Sequence, residues 1–231
     1  MLVLAIDTAT AQTGVAIGGP DGVLASAHHI GERRHVETLA PMIERVCREA
    51  GVGLDRIDVI AVDIGPGTFT GLRVGLAAAK AIAHVRQIPM VGLNSLELLA
   101  FGAKDPTRRV VPLIDALRDE VFCAAYRTAS GRIEQVAAPH IATPEAIAAE
   151  LRTSGEPCLI VGDGAVRYAS AFEGLACAEM GGAALTYPNA SMLVEMAVDR
   201  VQRGEAVPAP AIELLYLRPA YTETKLKRPT A

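Results

Sequence analysis

The chain contains no tryptophan and few other aromatics, with Phe 4 and Tyr 5 in 231 residues. Ala, Val, Ile and Leu must then fill the interior, in keeping with a hydrophobic content of 51%. That content beside 21% charged residues argues against disorder and suits two compact lobes of ~100 residues each. Positive charge is not in excess: 22 Lys and Arg against 26 Asp and Glu leave a net charge of −4. The bulk basic surface that holds nucleic-acid or membrane phosphates is missing, so a nucleic-acid role would have to be indirect. The four cysteines, Cys47, Cys123, Cys158 and Cys177, form no CxxC pair, which argues against a zinc site or a disulfide framework and for free thiols in a reducing compartment. No apolar run reaches membrane-spanning length, and MLVLAID meets Asp7 too soon, without a basic leader, for a signal peptide. A cytoplasmic protein with no membrane partner is expected.

What is present centres on GPGTFTGLRVG, Gly65 to Gly75. It follows an apolar run over 57–64, which reads as a buried strand, and leads into an alanine-rich helix expected over 72–84. Gly65, Pro66, Gly67, Thr68, Phe69 and Thr70 form a structural loop. Its glycines permit positive φ and close backbone approach, Pro66 stiffens the turn, and Thr68 or Thr70 can cap the helix. The spacing fits neither the Walker loop nor the dinucleotide fingerprint, so a packing turn is favoured over a phosphate cradle. Beyond it Gly71, Gly75 and Ala79 recur four apart beside Ala78, Ile82 and Ala83. This gives a flat face read as a surface for a partner helix.

The remaining pattern predicts a duplication. Strands over 2–7, from Gly14, and through Ile30 precede a helix over 36–50, which Pro41 should shorten or kink. The central strand and helix follow, then a strand over 89–93 and a helix over 95–102. The order recurs from Val110: VVPLID matches LVLAID, with strands to 126 and 141, a helix opened by Thr143 and Pro144, a strand over 158–161 and a last helix over 189–203. The polar stretch 104–109 marks a boundary between lobes at 1–105 and 106–231, with 204–210 and the basic end Lys225 to Arg228 as loose segments.

GPGTFTGLRVG with AAAKAIA, the opening LAIDTATAQTGVAI and the late LLYLRPAY together resemble the TsaB family, formerly YeaZ, over about residues 2–222. The resemblance implies a two-lobed α/β protein of the duplicated actin-like ATPase (ASKHA, RNase H-like) fold. It implies a non-catalytic scaffold subunit that binds TsaD as a heterodimer in tRNA threonylcarbamoyladenosine synthesis, with TsaE completing the complex and a homodimer when alone. The implied interface comprises Gly71, Arg73, Gly75, Ala78, Ala79 and Ile82 with His35, Leu39 and Ile43. Asp7, Thr8, Asp115, Gly162 and Gly164 would be degenerate nucleotide turns. No cofactor of its own is implied, and a nucleotide at the partner interface stays open.

The catalytic sister family, TsaD, binds a metal through an HxxxH helix and a late aspartate. Here Ser95, Leu99 and Pro188 stand at those three positions, so no metal site is expected. His28 and His29 fall on opposite faces of a strand, His84 ends a helix, and His35 and His140 are isolated, so spacing assembles no Cys/His or Ser/His nucleophile site. Asp115 and Arg118 are expected to pair at the surface. An independent ATPase or sugar-kinase-like enzyme is the alternative, with Asp7 its one candidate acid; a protease has least support.

Overall fold

The computed structural model describes residues 1–31, 34–129 and 132–218. The first half contains β1 (Val3–Asp7), β2 (Gln12–Gly19), β3 (Gly22–Ile30), α1 (His35–Ala50), β4 (Val59–Gly65), α2 (Phe69–Arg86), β5 (Met90–Asn94) and α3 (Ser95–Ala103). The second repeats it with β6 (Arg109–Asp115), β7 (Val121–Ala129), β8 (Arg132–Ala142), α4 (Pro144–Ser154), β9 (Cys158–Val161), α5 (Asp163–Arg167), β10 (Ala178–Met180) and α6 (Ala190–Gln202). The sheet orders are the same, β3-β2-β1-β4-β5 and β8-β7-β6-β9-β10. In each, the first two strands run antiparallel and the first and fourth parallel. The expected duplicated actin-like α/β fold is therefore observed.

Alternation along β1 sets the layers. Leu4 and Ile6 pack with α1 and α2 on one face, while Val3 and Ala5 pack with α6 on the other. Each fully buried Leu or Ile contributes about 1.5–3 kcal/mol, so the two-sided burial of so short a strand fixes its register strongly. Pro41 lies inside α1 without ending it. α2 starts at Phe69, earlier than the pattern predicts, and stops where Gln87 turns left-handed at φ 53.

Packing crosses the expected division at residue 105, because the halves exchange helices. α3, from the first half, buries Leu96, Leu99 and Ala100 against Val110, Ile114 and Phe122 of the second sheet. α6, from the second half, buries Leu193, Val194 and Ala197 against the first sheet. The segment after α6 also returns to the first half and is not loose over 204–210. Met90 and Val207 exchange backbone hydrogen bonds of 2.8 and 2.9 Å, and the Leu215 amide donates to the Ile64 carbonyl at 2.8 Å. Lys225 to Arg228 lie outside the described residues.

Candidate functional site

The turn after β1 is sealed. Asp7 is 0% exposed, and Thr8, Ala9 and Thr10 are buried with it. Asp63, next to it on β4, is 1% exposed. Asp7 Oδ1 accepts the Ala9 amide at 3.0 Å; Asp63 Oδ1 accepts the Gly65 amide at 2.8 Å and the Ser95 hydroxyl at 2.6 Å. Burial, reinforced by the neighbouring Asp63, holds the Asp7 carboxyl well above the usual carboxylate range, and burial pushes Asp63 up to about 6. Asp7 is thus an interior group with no solvent-facing oxygen to offer a nucleotide.

What closes this turn is the glycine motif. The Thr68 amide, at the N-cap of α2, donates to the Ala9 carbonyl at 2.7 Å, and Thr8 Oγ1 donates to the Gly71 carbonyl at 2.7 Å. Gly65 takes φ +102, as the turn requires. Gly67 has no positive φ: it is glycine because a Cβ there would run into the Ala9 carbonyl. A Cβ on Gly71 would meet the Thr8 carbonyl, and one on Gly75 the Thr8 hydroxyl. Gly71, Gly75 and Ala79 are accordingly buried against the chain's own first strand and turn, a correction to their expected role as a partner surface. His35, Leu39 and Ile43 are likewise inward, with Thr13 Oγ1 bonded to His35 Nδ1 at 2.7 Å. Neither Thr68 nor Thr70 caps α2 through its side chain.

The outward side of α2 carries a different stripe at the same spacing of four: Phe69, Arg73, Ala77, Ala81 and Val85 are all exposed, with Ala78 and Ile82 half-buried beside it. Val85 is 79% exposed and Phe69 44%. At the head of the stripe the Arg73 guanidinium lies 3.7 Å from the Phe69 ring centroid, and its Nε donates to the Tyr216 hydroxyl at 3.2 Å. α1, on the same side of the sheet, adds Val36 at 71% exposure with Ala40 and Pro41. Arg73, Ala78 and Ile82 of the implied interface do lie on or beside this side, whereas Ala77, Ala81 and Val85 were hidden in the sequence because the small residues at Gly71, Gly75 and Ala79 gave the stronger periodic signal.

The second half has the equivalent turn in a different state. Asp115 ends β6 and Asp163 follows β9; the Asp115 amide donates to Asp163 Oδ1 at 3.1 Å. Asp115 Oδ1 accepts the Tyr168 hydroxyl at 3.2 Å, and Asp115 Oδ2 lies 3.5 Å from Arg167 Nε, so its ion-pair partner is Arg167 rather than Arg118. Burial pushes Asp163 up to about 6. Gly162, at φ +105, and Gly164 lie close against the Leu113 backbone, where a Cβ on either would crowd it.

Of the positions that are metal ligands in TsaD, Ser95 is spent on Asp63, Leu99 fills the second sheet's core, and the Pro188 carbonyl accepts Gln12 Nε2 at 2.8 Å. Among the described residues no group of three His, Cys, Asp or Glu side chains is placed to hold a metal. The structure does join one pair that spacing did not suggest: Cys123 Sγ and His140 Nε2 are 3.2 Å apart across β7 and β8. Cys123 is buried and burial pushes its thiol up to about 12, so this contact supplies no thiolate nucleophile. Among the described residues no helix is long and apolar enough to cross a membrane.

Fold and turns define a duplicated actin-like α/β protein whose first nucleotide-type turn is filled by its own helix. The chain belongs to the TsaD family: the model described as "TsaD: tRNA N6-adenosine threonylcarbamoyltransferase" matches residues 25–222. The TsaB resemblance is borne out by named relatives. The tRNA threonylcarbamoyladenosine biosynthesis protein TsaB of Haemophilus influenzae is 28% identical over 236 residues, 98% of this chain and 97% of that protein. TsaB of Escherichia coli is 36% identical over 129 residues, a match spanning 55% of each chain. The solved structure of YeaZ from Pseudomonas aeruginosa superposes with a TM-score of 0.81 at 29% identity, covering 94% of this chain and 99% of that one.

Proposed function

We propose that this chain is a non-catalytic subunit of the tRNA threonylcarbamoyladenosine machinery that docks on TsaD and supports threonylcarbamoyl transfer to the adenosine beside the anticodon of ANN-reading tRNAs. The observation that carries the reading is what occupies the three TsaD ligand positions: Ser95, Leu99 and Pro188 are each used in the interior, so no metal-binding groups stand there. The sealed turn at Asp7 supports it from the other side of the chemistry, since a buried acid under a helix cannot receive phosphates. The docking surface is the exposed side of α1 and α2, with Phe69, Arg73, Ala77, Ala81 and Val85 as its central stripe. Small side chains there let a partner helix approach closely, and Phe69 with Arg73 supplies the aromatic and guanidinium anchors typical of interface centres.

In this reading the protein works in the cytoplasm, contacts tRNA only through the complex that TsaE completes, holds no cofactor of its own, and takes a nucleotide only where a partner contributes to the site. Without TsaD the same face pairs two copies. Titration of TsaD against the wild-type chain and Ala81→Arg tests this. The variant should lose at least tenfold in affinity with an unchanged melting temperature; equal affinity would place the interface elsewhere.

A further inference from the structure

The two acids at the ends of β1 and β4 do more than cap turns. The strands are parallel neighbours, with Ile6 beside Val62, which sets Asp7 and Asp63 side by side. Each uses Oδ1 for hydrogen bonds, and each leaves Oδ2 buried with no donor. The groups facing them are uncharged: Gly14 of β2 and Ala190 of α6 pack together at Asp7 Cβ, Ser95 comes from α3, and Gly65 from the end of β4. On the covering helices Arg200 of α6 is paired with Glu97 of α3 at 2.8 Å. His35 of α1 is bonded to Thr13, and Arg73 of α2 faces outward onto Phe69. Two bare carboxylates cannot sit together in such an interior, whereas a single proton makes one Oδ2 a donor to the other and satisfies both.

We propose that Asp7 and Asp63 share one proton between their Oδ2 atoms, and that this proton latches the β1–β2 turn to the start of α2. The connection is short on both sides. Asp7 holds the Ala9 amide, and the Ala9 carbonyl receives the Thr68 amide at the N-cap of α2; Asp63 holds the Gly65 amide at the entry to the same helix. Release of the proton to solvent leaves two negative charges between the turns and drives them apart.

The sign follows from linkage. In the unfolded chain both acids titrate near their ordinary value, while burial keeps the folded pair protonated to higher pH. Folding stability from this pair is therefore greatest in acid and falls as pH rises through the folded values, by about tenfold in the folding equilibrium per pH unit for each proton retained. Asp7→Asn replaces the shared proton with a permanent amide donor, because Oδ1 can still accept Ala9 and Nδ2 can donate to an ionised Asp63.

Denaturant unfolding of wild type and Asp7→Asn from pH 5 to 9, each with Asp163→Asn as background, tests the latch. The expected result is a flatter profile for Asp7→Asn by about one proton and a folding equilibrium at pH 9 at least tenfold more favourable than wild type. An unchanged slope overturns the proposal. If Asp7→Asn does not fold, the carboxyl infrared spectrum of the Asp163→Asn chain decides. A protonated carboxylic acid band at pH 7 that disappears in alkali supports the latch, and a spectrum with only carboxylate bands at pH 7 refutes it.

Discussion

The two halves of this protein share one sheet order but treat the same position differently. Each brings two aspartates together where its parallel central strands finish: Asp7 ends β1 beside Asp63 of β4, and Asp115 ends β6 beside Asp163, which opens α5 just after β9. In the first half the pair is sealed among uncharged groups, with both Oδ2 atoms bare. In the second, Asp115 is only half-buried and meets Arg167 and the Tyr168 hydroxyl. The helices that follow diverge too: α2 has 18 residues and an exposed stripe, whereas the corresponding α5 has 5. Both halves keep one scaffold, but the first turn is buried by the very helix proposed to meet a partner.

Forcing α2 off its strand should have the largest effect. Gly75→Leu puts a side chain into the Thr8 hydroxyl and should cost about 3 kcal/mol or more, since this close approach leaves no room for overpacking. The counterpart Gly164→Ala in α5 meets Leu113 and Val121 at 3.0 Å and should cost nearer ~1 kcal/mol. Thermal melting of the isolated chain checks both; an unaffected Gly75→Leu would mean that α2 is not seated on β1.

Leu99→Ala comes next. It lies on a first-half helix yet fills the second sheet's core, so a loss of about 2–5 kcal/mol should appear as one cooperative transition of both halves in calorimetry. Two separated transitions would contradict the helix exchange.

Much of this architecture was legible in the sequence. LVLAID over VVPLID pointed to the duplication, because an apolar run ending in Asp is a local pattern. The spacing of Gly71, Gly75 and Ala79 announced a close backbone approach but could not name the approaching group, which is Thr8, far away in sequence. The same limit hid the Asp7–Asp63 pair, created only by parallel strand pairing, and the Cys123–His140 contact, which depends on an irregular register between β7 and β8. The exchange of α3 and α6 left no local mark, since an amphipathic helix does not record which sheet it covers.

The second acid pair gives a smaller effect. Asp163 is pushed up to about 6 by burial, so it holds its proton in the folded state while the unfolded chain loses it near 4; stability falls as pH rises from about 4 to 6 and is level above. Asp163→Asn should remove that fall, on the order of 2 kcal/mol, in urea titrations across this range. An unaltered profile would show that Asp163 is ionised in the folded chain. Smallest of all for stability is Val85→Asp on the exposed stripe, expected within about 0.5 kcal/mol of wild type by urea titration.

The proposal that the chain lends a surface and no chemistry is decided by reconstituting tRNA modification with purified TsaD, TsaE and the carbamoyl-adenylate donor. This chain with the donor alone should yield no modified nucleoside; it should strongly stimulate TsaD with TsaE, and Val85→Asp combined with Ala81→Arg should abolish that stimulation. Product formed without TsaD, or full stimulation by the double variant, would contradict it.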